Sequence, residues 1–169
     1  MDNLFELWKT KIPKYSAEFK DTLFKSLSEK FGAEGDKKFY LAKHFSTNYE
    51  LYMYAFFLGL YNNELEPMLE GTKKVDFSHH IQYWGNKSNA LRKDFAKMQE
   101  FIFMALVAET EIDFIALDKG EISEEEVVRL LIHTMESYTN GGLLLMKEKL
   151  EDNSGLLLQP SGLMDLMVK

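Results

Sequence analysis

The sequence predicts an all-α fold: a compact orthogonal bundle of about five to seven helices around one aromatic-rich central helix. Three observations lead there. The stretch 47–67, TNYELYMYAFFLGLYNNELEP, is the most apolar and most aromatic in the chain. Two capping boxes, Thr47 with Glu50 and Ser123 with Glu126, each stand in front of an apolar run. Over most of the remainder, apolar residues recur with the period of a helix rather than that of a strand.

The bulk numbers fit one helical domain over residues 1–169. Hydrophobic residues make up 46% and charged residues 28%, an ordinary globular composition rather than that of a disordered chain. With three prolines and ten glycines there is little room for a low-complexity linker. The chain has no cysteine, which removes disulfides and thiolate metal sites and suits a reducing, cytoplasmic setting. The start, MDNLFELWKTKIPKY, lacks the basic, apolar and small-residue pattern of a signal peptide. A net charge of −7 opposes nonspecific phosphate binding, which Lys and Arg drive.

Taken in order, Asp2–Ile12 reads either as a short strand or as a turn of helix. Pro13 suits a helix start, and Phe19, Leu23, Leu27 and Phe31 at spacing four predict an amphipathic helix from Lys14, ended by Gly32. Residues 33–38 form a polar turn, and Phe39 to Phe45 a short helical segment. The central helix follows its Thr47–Glu50 box and stops at Asn62 and Asn63, with Pro67 beyond. Its apolar run, Leu51 to Leu60, is about half of the roughly 20 residues a membrane span needs, so no membrane role is expected. Met68 to Lys87 is irregular: Val75, Phe77, Ile81 and Tyr83 at even offsets fit a short extended segment, and a loop packed by Trp84 fits equally.

From Ser88 to about Ala108, Leu91, Phe95, Met98, Ile102 and Ala105 step by +4, +3, +4 and +3, the clearest long helix. Glu109 to Asp118 either continues it or forms a second short helix, and Gly120 breaks the pattern. Ser123 caps a new helix with a buried stripe of Val127, Leu131, Met135 and Tyr138. Asn140-Gly141-Gly142 interrupts it, Leu143 to Leu150 resumes, and Leu156 to Met167 is an apolar tail that docks on the rest.

No pattern selects a catalytic centre. His79 and His80 are adjacent, so their side chains diverge, and no H-E-x-x-H or H-x-H spacing accompanies them. In DKGEISEEE, the offsets of Gly120, Ile122 and Glu126 imitate a calcium loop. The ligand positions, however, hold Ile115, Leu117 and Lys119. Glu64, Glu66, Glu70 and Asp76 include no pair whose spacing marks a catalytic dyad, and solvated surface explains them. Asn140-Gly141-Gly142 lacks the phosphate-loop pattern and reads as a tight helix–helix junction whose exposed end is a candidate partner contact. The aromatic side chains of the central helix lack the basic residues of a base-stacking groove and read as core. The basic residues Lys87, Arg92, Lys93 and Lys97 read as a solvated helix face. No metal and no cofactor is called for.

Three pieces of the chain carry a resemblance. FSTNYELYMYAFFLGLYNNELEPM places Phe45, Ala55, Gly59, Pro67 and Met68 in a motif of Phe, apolar helix with Ala-x-x-x-Gly, and a polar link ending in Pro plus an aliphatic residue. Ile81 to Trp84 is followed by the helix of FIFMALVAE. MESYTNGGLLLMKEKL supplies Glu136, Tyr138, Asn140, Gly141, Gly142 and Leu143. Together, over about Phe45 to Leu150, these resemble the small accessory proteins associated with bacterial DNA-phosphorothioation (Dnd) systems. Where such proteins often carry arginines before the proline, this chain has Asn62, Asn63, Glu64 and Glu66.

The resemblance implies a context, prokaryotic genome modification or defence, and supplies no catalytic residue. The expected function is therefore a non-enzymatic adaptor whose partners are protein components of a DNA-modification or restriction system. Its candidate partner-binding residues are Glu64, Glu66, His79, His80, Trp84, Tyr138, Asn140, Gly141 and Gly142. A direct DNA-binding accessory protein and a small hydrolase are the alternatives.

Overall fold

The fold was analysed in a computed structural model, which describes residues 2–28, 45–77, 79–85 and 95–167. The protein is mostly helical, with seven α-helices and one two-stranded sheet among the described residues. In chain order these are α1 (Asp2–Lys9), β1 (Lys14–Ser16), a π-helical turn (Lys20–Phe24) running into α2 (Lys25–Leu27), α3 (Asn48–Asn62) and β2 (Lys74–Asp76). A 3-10 turn (Ile81–Tyr83), α4 (Ala96–Glu109), α5 (Phe114–Asp118), α6 (Glu124–Asp152), a second 3-10 turn (Leu156–Leu158) and α7 (Gly162–Asp165) complete it. Expected elements at residues 31–44 and 86–94 lie outside the described residues.

Contacts group the chain into two units, each drawn from two chain segments: unit 1 is Met1–Lys14 with Asp76–Met135, and unit 2 is Tyr15–Val75 with Glu136–Lys169. Helix α6 runs unbroken through Met135, so its first half counts in unit 1 and its second in unit 2.

Unit 1 settles the N-terminus as helix. Leu4 and Trp8 of α1, at spacing four, are both buried. Phe5, Trp8 and Phe103 of α4 form an aromatic cluster, with centroids 5.1 Å apart for Phe5–Phe103 and 5.6 Å for Trp8–Phe103. Ile102, Leu106, Val127, Val128, Leu131 and Met135 add fully buried apolar bulk. Helix α5 is separate from α4, capped by Asp113, whose Oδ1 accepts from the Ala116 N–H at 2.8 Å. Gly120 ends it with φ of 71°. The Ser123–Glu126 box at the start of α6 forms as expected: Ser123 Oγ accepts from the Glu126 N–H at 3.2 Å, and Glu126 Oε2 accepts from the Ser123 N–H at 2.8 Å. The Ser123 N–H and then the Ser123 hydroxyl, both donating to Glu126 Oε2, hold the Glu126 carboxyl below its ordinary pKa.

Where the chain passes from unit 1 into unit 2, the amphipathic helix expected from Lys14 starts later. Residues 14–16 are β1, antiparallel to β2: Pro13 O accepts from the Phe77 N–H at 2.9 Å and Ala17 N–H donates to Lys73 O at 2.8 Å. Extended pairing takes this segment away from the helix, so Pro13 precedes a strand instead. The predicted apolar face survives the change, because Phe19, Leu23, Phe24 and Leu27 are all buried in the π-helical turn and α2. Helix α3 matches its prediction to within a residue. Thr47 Oγ1 accepts from the Glu50 N–H at 3.3 Å, and Asn63 closes the far end in the left-handed region at φ 55°. Leu51, Tyr52, Met53, Ala55, Phe56, Leu58 and Gly59 bury nearly every side of it. The tail docks as expected, through Leu157, Gly162 and Leu166; Tyr54 donates its hydroxyl to Leu163 O at 2.5 Å.

Candidate functional site

Asn140-Gly141-Gly142 does not interrupt a helix; it lies in the middle of α6. Glycine there serves contact between two helix backbones. A Cβ on Gly142 would stand 1.8 Å from Ala55 O, and a Cβ on Gly59 would stand 2.0 Å from Tyr138 O. Helices α3 and α6 therefore cross with no side chain between them, each glycine Hα facing the other helix's carbonyl in the manner of a weak C–H···O bond. Ala55-x-x-x-Gly59 on one helix and Tyr138 to Gly142 on the other form one joint. The two most distant pieces of the resemblance thus meet in space.

Polar groups line this joint. Tyr52 is fully buried and hydrogen-bonds Thr139; burial, and then the negative charge of Glu136, push its phenol well above the ordinary tyrosine range. Asn140, 1% exposed, accepts the Ser16 N–H on Oδ1 at 3.1 Å, while its Nδ2 has no hydrogen-bond partner among the described residues. Phe56 meets Tyr138 edge to face, centroids 6.3 Å apart.

The chain leaves α3 over the same joint. The Glu64 N–H donates to Gly59 O at 2.9 Å, and the Glu66 N–H donates to Ser137 O at 3.0 Å. A Cβ on Gly141 would stand 2.0 Å from Glu64 O, so this carbonyl also rests on bare α6 backbone. From that root the segment Tyr61–Glu70 presents Tyr61, Leu65 and Leu69 to solvent at 62%, 47% and 70% exposure, with Glu64, Glu66 and Glu70 exposed beside them.

The nine residues singled out from the sequence divide accordingly. Glu64 and Glu66 are exposed on this segment. Tyr138, Asn140, Gly141 and Gly142 are buried beneath it in unit 2, which gives them a packing role and leaves no exposed junction end. His79, His80 and Trp84 belong to unit 1. There the two histidines are exposed, and His80 Nδ1 meets Thr10 O. Trp84 is 1% exposed, packs edge to face on Phe77 at 5.3 Å and donates Nε1–H to His79 O at 3.2 Å. Gln99 ties this loop down by donating to Ile81 O at 3.0 Å and Trp84 O at 3.2 Å.

Tyr61, Leu65 and Leu69 are absent from the sequence-derived site. Their signal is visible in retrospect: apolar residues continue at spacing four past Asn63 and across Pro67, where no helix exists to bury them. Elsewhere in unit 2 an open groove of about 220 Å³, lined by Thr22, Ser26, Lys147 and Glu151 among others, offers mixed polar and apolar walls. Among the described residues no group of three or more acidic or histidine side chains could hold a metal ion, and no helix is long and apolar enough to cross a membrane.

Comparison with protein-family models, with curated proteins and with solved structures finds no match for this chain.

Proposed function

We propose that the protein is a non-enzymatic accessory or adaptor protein of a prokaryotic DNA-modification or defence system of the phosphorothioation-associated (Dnd) type, acting in the cytoplasm through protein–protein contacts. The observation that carries the reading is the α3–α6 joint. The Ala55-x-x-x-Gly59 and Tyr138-x-Asn140-Gly141-Gly142 elements, which carry the sequence resemblance, form one packed unit. That unit holds an exposed, partly apolar segment at its exit. A rigid joint beneath an uncovered apolar stretch suits contact with another protein. The exposed carboxylates there repel phosphates, which favours a protein partner over direct contact with DNA.

The test is affinity purification of the tagged protein at native expression, identification of what accompanies it, and reconstitution of any pair from purified parts. Recovery of DNA-modification or nuclease subunits that rebind in purified form is the expected result. Recovery of the protein alone at low salt overturns the reading.

A further inference from the structure

We infer that Tyr61–Glu70 is the docking surface for a protein segment carrying Lys or Arg among apolar side chains. The inference rests on the adaptor reading and specifies the chemistry of its partner.

Three observations converge on this segment. Its apolar side chains are uncovered: Tyr61, Leu65 and Leu69 each expose about half or more of their surface. Single exposed apolar side chains are common on folded proteins, and Phe101, Met104 and Ile115 are examples here. Three within nine residues of one segment, however, concentrate apolar surface in one place. Its backbone is already held: Asn63 is fixed at φ 55°, and the amides of Glu64 and Glu66 are tied to Gly59 O and Ser137 O. The Glu64 carbonyl rests on Gly141, and Pro67 restricts φ at the centre. A partner therefore meets a shape that needs little ordering, which removes part of the entropic cost of association.

The third observation is charge. Glu64, Glu66 and Glu70 are exposed, and no Lys or Arg occurs from His44 to Thr72. A segment that is apolar and acidic together is complementary to one that is apolar and basic. The same sign disfavours the other occupants. Nucleic acid and anionic lipid present phosphates, and a second copy of this chain brings its own net charge of −7.

The test uses defined probes. A synthetic helix-forming peptide of Leu, Ala and Lys is titrated into the isotope-labelled protein, alongside one with Glu in place of Lys and one with Ser in place of Leu. The expected result is saturable binding of the Leu/Lys peptide alone, with backbone amide shifts centred on residues 61–70. Binding weakens with salt, and at least about tenfold in Leu65→Ser/Leu69→Ser and in Glu64→Lys/Glu66→Lys/Glu70→Lys. These side chains are exposed, so an unchanged urea midpoint shows that the variants still fold.

Equal binding of the acidic peptide, shifts elsewhere on the protein, unchanged affinity in both variants, or no binding at all overturns the inference. So does concentration-dependent self-association that shifts the same amides. The adaptor reading fails separately. If no DNA-modification subunit accompanies the tagged protein while the Leu/Lys peptide still binds here, the docking chemistry stands and the assembly does not.

Discussion

The Phe5–Trp8–Phe103 cluster of unit 1 and the α3–α6 crossing of unit 2 bring distant chain segments together by opposite means. In unit 1 the contact is made by rings filling space between elements, with centroids 5.1 to 6.0 Å apart. In unit 2 it is made by removing side chains, so that the carbonyls of Ala55 and Tyr138 lie against Gly142 and Gly59. Ring packing loses stability when atoms are removed, whereas a backbone crossing loses it when atoms are added. The two sites should therefore respond in mirror image to changes in side-chain size.

The sharpest way to break that symmetry is Gly142→Val. Its Cβ alone would overlap Ala55 O, and neither helix backbone can yield without separating along the crossing. We expect loss of at least about 4 kcal/mol, a large share of a typical domain's stability, read as loss of a cooperative urea transition. Gly155→Ala is the control: its Cβ would meet nothing nearer than Asn153 Oδ1 at 3.6 Å, so the midpoint should stay within about 0.5 kcal/mol.

In unit 1 the damaging change is Trp8→Ala, which should cost about 3–5 kcal/mol by leaving a cavity against Phe5 and Phe103. If Trp8→Ala were mild and Gly142→Val tolerated, the contrast between the two kinds of joint would be lost.

Alkaline pH separates the regions without mutation. Burial raises the phenols of Tyr52 and Tyr54, both in unit 2, above the ordinary tyrosine value. A raised folded-state pKa means that the stabilisation is complete below about pH 10, where the unfolded phenol ionises, and is lost as the pH climbs above it. Both tryptophans, Trp8 and Trp84, belong to unit 1. The urea midpoint followed by circular dichroism should therefore fall above pH 10, ahead of the midpoint followed by tryptophan fluorescence. Coincident transitions would show that the units unfold together.

Among the destabilising changes the mildest is expected at Ser123→Ala, which opens the capping box in front of α6 and should cost about 1 kcal/mol by thermal melting.

Local signals were legible in the sequence where chemistry within a few residues decides the structure. The capping boxes, the stop at Asn63, the break at Gly120 and the apolar surface of α3 all have that character. The stripe expected for the 88–108 helix does not hold: α4 starts at Ala96 and buries Gln99, Ile102, Phe103 and Leu106, with Phe95, Met98 and Ala105 only half-buried. Long-range decisions were not legible. Whether residues 14–16 are strand or helix depends on Lys74–Asp76, some 60 residues on. Asn140-Gly141-Gly142 looks like a helix break because glycine lowers helix propensity, and α6 continues through it because α3 needs the bare surface. The candidate site was half legible for the same reason. Glu64 and Glu66 lie on the exposed segment, and helical spacing already placed Tyr138 in a buried stripe, but the burial of Asn140 and the exposure of Leu65 and Leu69 depend on neighbours distant in sequence.

The α3–α6 crossing also sets a schedule for synthesis. Its halves, Gly59 and Gly142, are separated by about 80 residues, which a ribosome adds over roughly 4–16 s at 5–20 residues per second. For that interval α3, with Leu51, Tyr52, Phe56 and Leu58 on its surface, has left the translation machinery without the helix that will cover it. The nascent chain must pass through this apolar stage on every round of translation, a window in which a chaperone can hold it.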